Sequence, residues 1–153
     1  MADIDKTDLS ILRLLLEDAR MTNGAIGEKV NLSHSAISQR VKALEERGYI
    51  CGYRAILDRE KIDLGYTACM LVRLVRHGGG RLETFESLLQ DKYPNVVECL
   101  RLAGAWDFML RVVAKGPREY DQVVSTLTRD EHVDLVRTYP SLRTVFTASL
   151  PLR

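Results

Sequence analysis

The chain has 153 residues, of which 46% are hydrophobic and 28% charged, and its formal net charge is +1. That length holds one domain or two small ones of ordinary globular composition, and no run approaches the roughly 18 apolar residues that a membrane span needs. The near-neutral total carries no overall nucleic-acid signal, so any argument from charge has to be local.

The opening MADIDKTDLS is acidic and polar, unlike a secretory leader. Cys51, Cys69 and Cys99 are scattered and form no CxxC pair. An odd, dispersed set of thiols fits a reducing cytoplasm better than a disulfide frame or a zinc site. A cytoplasmic protein with no membrane partner, metal or cofactor is therefore expected.

Leu9, Leu12 and Leu16 recur at helical spacing, with Ile11 and Leu15 widening the stripe. This predicts a first helix over residues 6–18, capped by Asp5. Thr22 can cap a short second helix over residues 23–30, with Ile26 and Val30 on one side. Asn31-Leu32 supplies a tight turn. Ser33 caps a third helix, which Gly48 ends where a left-handed residue is wanted. Helices joined by so short a turn make the helix-turn-helix pattern. The run YICGYRAIL over residues 49–57 is β-branched and aromatic and predicts a strand, the wing or exit ribbon of such a domain.

Charge is distributed unevenly across this region. Residues 1–28 balance to −3, whereas residues 29–54 hold Lys29, Arg40, Lys42, Arg47 and Arg54 against Glu45 and Glu46, a balance of +3. On the third helix Ile37, Val41 and Leu44 share one face and Ser35, Ser38, Gln39 and Lys42 the opposite one. A helix entering a major groove needs short side chains at its head and groups that match base edges, as Gln matches adenine. Ser33, His34, Ser35, Ser38, Gln39 and Lys42 are the candidates for that contact, with Ser33 chiefly a cap. Arg40, Arg47 and Arg54 lie off the face and suit phosphates. The alternative is a helical hairpin that only packs on another protein; spacing and charge together favour DNA.

The chain then divides: residues 1–60 form the DNA-binding domain, 61–64 a linker and 65–153 a second domain. YTACMLVRLV from Tyr66 reads as a strand. The HGGGR that follows lacks the Gly-Lys-Ser/Thr of a phosphate loop and reads as a flexible connection. Leu82, Phe85, Leu88 and Leu89 mark a helix ending near Tyr93-Pro94, and residues 95–102 a second strand. AGAW is a turn, and DFMLRVV a third strand. Pro117 opens another helix, whose buried stripe is Tyr120, Val123, Val124 and Leu127. A last strand spans roughly residues 133–146. Pro140 falls inside it and requires a sheet edge or bulge there.

The order βαββαβ is the ferredoxin-like arrangement, so the whole chain is expected to be α+β, a (winged) helix-turn-helix followed by a ferredoxin-like domain. Tyr66, Ala68, Met70 and Val72 alternate with Thr67, Cys69, Leu71 and Arg73, and both sets are largely apolar. A sheet apolar on both faces wants cover on both. A second copy of the chain is the simplest cover, which predicts a homodimer.

DIDKTDLSILRLLLEDAR, NLSHSAISQRVKALEERGYICGYRAILD and LAGAWDFMLRV together resemble the leucine-responsive and asparagine-responsive (Lrp/AsnC) regulators over nearly the whole chain. Trp106 stands where that family more often has a smaller ring. The resemblance implies a transcriptional regulator binding double-stranded DNA as dimers, assembling to octamers and responding to a free amino acid. It also implies a nucleoid-associated protein that controls genes of amino-acid metabolism or transport. It places the effector at the Gly104, Ala105, Trp106, Asp107 turn, with Thr138 of the last strand as a further donor. Gly104 can let backbone amides approach a carboxylate, and Asp107 can accept an ammonium group; the plainer roles are a turn and its cap. His34, His77 and His132 fall in separate elements, and no nucleophile–base spacing points to an enzyme. An architectural DNA-packing protein without an effector remains the other reading.

Overall fold

The computed structural model describes residues 4–75, 80–147 and 150–152. These divide into two compact units, one within Met1–Ile56 and Phe146–Arg153, the other within Leu57–Val145.

The first unit is helical. α1 spans Lys6–Glu17, α2 Asn23–Val30 and α3 His34–Glu46. Each begins at the residue whose side chain can accept an orphan amide: Asp5 accepts from Asp8 N–H, Thr22 from Ala25 N–H and Ser33 from Ala36 N–H. Ile11, Ile26, Ile37 and Leu44 make the buried centre, with Leu12, Leu15, Val30 and Val41 around it. The stripe of α1 is centred on Ile11 rather than on Leu9, Leu12 and Leu16, and Leu16 is exposed. That side also carries Asp8, a buried carboxylate with no counterpart in the apolar pattern.

The turn between α2 and α3 is tightly made. Asn31 takes the left-handed conformation at φ 56°, which its short polar side chain tolerates. Leu32 N–H then donates to the Gly27 carbonyl at 3.0 Å. A Cβ on Gly27 would stand 2.4 Å from the Leu32 carbonyl oxygen, so only glycine fits. Gly48, at φ 73°, follows the end of α3 in the expected left-handed state.

Residues 49–57 are not a strand: among the described residues they form no ladder. Tyr53, Ile56 and Leu57 are exposed, while Tyr49 and Ile50 pack partly buried against the helical core. Strand propensity needs a neighbouring strand to bond, and among the described residues none lies beside them.

The second unit is the four-stranded sheet β1 (Tyr66–Leu74), β2 (Val96–Arg101), β3 (Phe108–Ala114) and β4 (Val133–Pro140), with α4 (Arg81–Lys92) and α5 (Pro117–Thr128). The strand order β2-β3-β1-β4 has antiparallel neighbours throughout, as the ferredoxin-like pattern requires. Ala68, Met70, Val72 and Leu74 of β1 alternate inward and meet Phe108, Leu110 and Val112 of β3. Phe85 and Leu89 of α4 and Tyr120, Val123 and Leu127 of α5 join them in one core. Both helices therefore lie on one sheet face. The other face carries Leu71, Met109, Leu100, Leu135 and Tyr139, partly or largely exposed.

β4 lies at the sheet edge, where Pro140 is tolerated, but it stops at Pro140 instead of running to Phe146. Of the HGGGR run, Gly80 opens α4 at φ 73° and Arg81 is its first residue; residues 76–79 lie outside the described residues.

Candidate nucleic-acid interface and effector turn

The apolar residues of α3 fix which side it turns outward. With Ile37 and Leu44 buried, Ser35, Ser38, Gln39 and Lys42 are all exposed on the far side. Ser33 and His34 are exposed at the head of the helix, and the Ser33 and Ser35 hydroxyls lie 3.0 Å apart. Lys42 makes only a loose pair with Glu46 at 3.6 Å, both well exposed. Among the described residues the Gln39 amide has no partner within the chain, which leaves both its carbonyl and its N–H groups available. Arg54 is exposed on the extended segment.

Arg40 does not join this set. Its Nη1, expected to meet a phosphate, donates to Asp5 and to Asp8 at 2.7 Å each within the unit. The physical reason is the buried Asp8 carboxylate of α1, which needs a charged donor and finds it on α3. Arg47 lies off the groove face as expected, with its guanidinium 4.9 Å from the centre of the Tyr49 ring.

The turn between β2 and β3 is the second candidate site. Gly104 sits at φ 133° with open space where a Cβ would be, so its backbone is accessible and its conformation requires glycine. Ala105 is exposed beside it. Trp106 is half-buried, with the guanidinium carbons of Arg73 and Arg137 at 5.9 and 5.6 Å from its ring centre. Arg73 is already paired with Asp134 at 2.7 Å. Among the described residues Arg137 has no carboxylate partner and is exposed. Neither arginine stands out in the sequence. Only the register, which sets Arg137 opposite Leu71 and Arg73 opposite Leu135 on the uncovered face, brings them to Trp106.

Asp107, expected to accept an ammonium group, is hydrogen-bonded within the chain. Its Oδ2 accepts Leu74 N–H at 2.8 Å and Arg81 at 3.4 Å, and its Oδ1 accepts Arg81 at 3.2 Å. Burial pushes the Asp107 carboxyl up, but the Leu74 amide and the charges of Arg81 and Arg73 outweigh it and hold the group below the usual carboxylate range. The carboxylate is a strut between β3, β1 and the first turn of α4. Thr138 lies on the other side of β4 from Arg137. It pairs in register with buried Met70, on the helix-covered face, while its neighbour Arg137 faces the other way.

Residues 4–50 match the family described as winged helix-turn-helix DNA-binding, and residues 67–150 match the Lrp/AsnC ligand binding domain. The chain belongs to the Lrp/AsnC family. It is 36% identical to the Bkd operon transcriptional regulator of Pseudomonas aeruginosa over 99% of each chain. It is 35% identical to the leucine-responsive regulatory protein of Rhizobium meliloti, covering 94% of this chain and 92% of that one. A transcriptional regulator from Neisseria meningitidis, solved as a complex with L-Met, superposes with a TM-score of 0.90 at 33% identity over 97% of each chain. As a member of the Lrp/AsnC family this chain is a DNA-binding transcriptional regulator with a ligand-binding domain, and its relatives are regulators, not enzymes. Among the described residues no helix is long and apolar enough to cross a membrane.

Proposed function

We propose that this Lrp/AsnC regulator reads DNA through the exposed face of α3 and binds a free amino acid beside the β2–β3 turn. The observation that carries the first part is the free Gln39 amide in a row of small and basic side chains, directly opposite the buried Ile37 and Leu44. Ser33, His34, Ser35, Ser38 and Lys42 complete that surface, and Arg54 supplies a phosphate contact. The test is base preference. Gln39→Ala relaxes selectivity at one base position by about 1–3 kcal/mol while leaving the others intact. A preference profile unchanged by Ser38, Gln39 and Lys42 substitutions rules this face out.

The effector is proposed to be a free amino acid, and the genes controlled to serve amino-acid metabolism or transport. The ligand-binding domain, the L-Met bound to the Neisseria regulator and the leucine-responsive name of the Rhizobium relative support this reading. Gly104, Ala105 and Trp106 remain its core. Arg137 takes the place of Asp107 and Thr138 as the polar group in this reading, because among the described residues it presents a charge there without a carboxylate partner. The architectural alternative has no use for such a domain.

We further propose a cytoplasmic homodimer whose dimers gather to octamers on the nucleoid; the uncovered sheet face supports the dimer. Leu71, Leu100, Met109 and Tyr139 form a surface that a second copy would bury.

A further inference from the structure

Arg40 sits one residue from Gln39 yet points to α1. We propose that Arg40 is a positioning residue: by gripping Asp5 and Asp8 it sets the angle and axial register at which α3 presents Ser38, Gln39 and Lys42 to DNA. This rests on the reading of α3 as the groove helix.

The geometry of the grip carries the argument. One atom, Arg40 Nη1, makes both bonds, each 2.7 Å long. Neither carboxylate is a loose surface group. Asp5 is the N-cap of α1: its Oδ1 accepts Asp8 N–H at 2.7 Å while its Oδ2 accepts Arg40. Asp8 is buried. Arg40 therefore holds the capped end of α1 itself. The Asp8 amide first, then Arg40, hold the Asp5 carboxyl below its usual range, so the pair stays charged at physiological pH.

The apolar contacts of α3 cannot supply the same constraint. Ile11, Ile37 and Leu44 attract through area and carry little direction of their own. Charge-assisted hydrogen bonds are directional and short-ranged. Ile37 and Leu44 pin the inner face of α3 and Arg40 pins its flank, which fixes the azimuth of the neighbouring Gln39. A base-edge contact depends on that azimuth; a phosphate contact through a long side chain does not.

The charge count separates this role from a phosphate contact. Two carboxylates against one guanidinium leave a net negative charge beside a surface that meets DNA. If charge alone mattered, neutralising Asp8 would tighten binding to every sequence. If position matters, neutralising it loosens the grip and costs discrimination.

The experiment uses the full chain. A duplex enriched from a random pool with the unsubstituted protein is compared with a scrambled duplex of equal length, across a potassium chloride series. Arg40→Ala and Asp8→Asn are each expected to lower the selected-to-scrambled affinity ratio by about 5- to 150-fold, one base readout's worth of discrimination. The salt slope on the scrambled duplex stays unchanged, and Asp8→Asn binds that duplex as well as or better than the original. Arg40→Lys retains most of the ratio, because a single donor atom carries both bonds. A slope reduced by about 0.9 in Arg40→Ala, with Asp8→Asn tightening both duplexes alike, identifies a phosphate contact and overturns the proposal. A lower melting temperature with an intact ratio overturns it too, as mere support. Should Arg40→Ala not fold, the isosteric Asp8→Asn and the conservative Arg40→Lys decide the question below their melting temperatures. Gln39→Ala without effect on base preference, while Asp8→Asn still loses the ratio, faults the choice of groove residues and leaves the grip standing.

Discussion

The α-carbon of Gly27 faces the Leu32 carbonyl so closely that an added Cβ would lie 2.4 Å from its oxygen. This contact sets how α2 passes into α3. Backbone cannot swing aside as a side chain can, so Gly27→Ala has to push the two helices apart. The expected loss is about 1–3 kcal/mol for the helical unit, with weakened DNA binding. Gly24 is the control: its nearest foreign atom would be the Thr22 Oγ1 at 3.9 Å, and Gly24→Ala is expected to be neutral or slightly stabilising. Thermal melts followed by far-ultraviolet circular dichroism compare the two, and equal melts for both variants would refute the close-contact argument.

The sequence revealed the helix-turn-helix because its information is local. Asp5, Thr22 and Ser33 announce the helix starts, and Ile26, Ile37 and Leu44 the inward faces. The ferredoxin-like order was equally readable, since each strand and helix carries its own period. The pairings across the fold were not. Nothing in the spacing of Asp8 and Arg40 joins residues 32 apart, and nothing near Asp107 names Arg81, 26 residues upstream. For the same reason the partners of Arg40 and Asp107 within the chain were not legible beside the ligand-facing roles their charges suggested. Residues 49–57 differ for another reason: their composition is that of a strand, but propensity does not supply a neighbour.

Asp130 lies just past the end of α5 with its side chain fully buried, accepting from Lys92 Nζ at 2.7 Å, Tyr93 Oη and the His132 backbone N–H at 3.0 Å, with the His132 ring Nδ1 2.9 Å away. Burial alone would raise its carboxyl, but these donors outweigh burial and hold it well below the ordinary value of 3.8. A depressed folded-state value contributes stability that is present above the unfolded value and lost as pH falls through the folded one. The sheet unit is therefore expected to hold its stability down to about pH 4 and to weaken progressively below it. Asp130→Asn is expected to cost about 1–3 kcal/mol at neutral pH and to flatten the acid limb. Trp106 is the one tryptophan in the chain and belongs to this unit, so urea unfolding followed by its fluorescence at several pH values measures the effect. An acid limb as steep in Asp130→Asn as in the original would assign it to other carboxylates.

Tyr93 tests the same cluster without altering charge. Its hydroxyl is raised above the usual tyrosine range by burial first and by Asp130 second, and it donates to that carboxylate. Tyr93→Phe removes one donor from a buried anion and keeps the ring in the core. A loss of about 1–3 kcal/mol is expected, smaller than for a cavity-forming Tyr93→Ala. Equal stability of Tyr93→Phe and the original protein would show that Lys92 and His132 suffice.

The uncovered sheet face makes a prediction about assembly. Leu100 and Met109 are cross-strand partners on that face, beside the Glu98–Arg111 ion pair at 3.0 Å. Leu100→Glu places a second carboxylate among groups that a partner sheet would bury, and an unpaired buried charge is expensive. Sedimentation of the full chain at micromolar concentration is expected to show a dimer or larger species for the original and a shift towards monomer for Leu100→Glu. The same distribution for both would place the self-association surface elsewhere.

Trp106 and Arg137 carry the prediction for the effector. An amino acid offers a carboxylate, an ammonium and a side chain. The exposed Arg137 guanidinium can take the carboxylate, the indole can cover an apolar side chain, and the open backbone at Gly104 leaves room for both. A thermal-shift screen of the twenty amino acids identifies the effector, and calorimetry then compares variants. Arg137→Ala is expected to weaken binding by about 1.5–3 kcal/mol, the worth of a hydrogen bond to a charged group. Trp106→Phe, which keeps an aromatic face, is expected to weaken it less than Trp106→Ala. Asp107→Asn should act mainly on stability, because it loosens the strut to Leu74 and Arg81 rather than a ligand contact. Since a ligand favours whichever assembly binds it better, the same effector should also move the sedimentation profile. Undiminished affinity in Arg137→Ala would put the carboxylate on another group. Absence of binding by any of the twenty at millimolar concentration would remove the amino-acid reading itself.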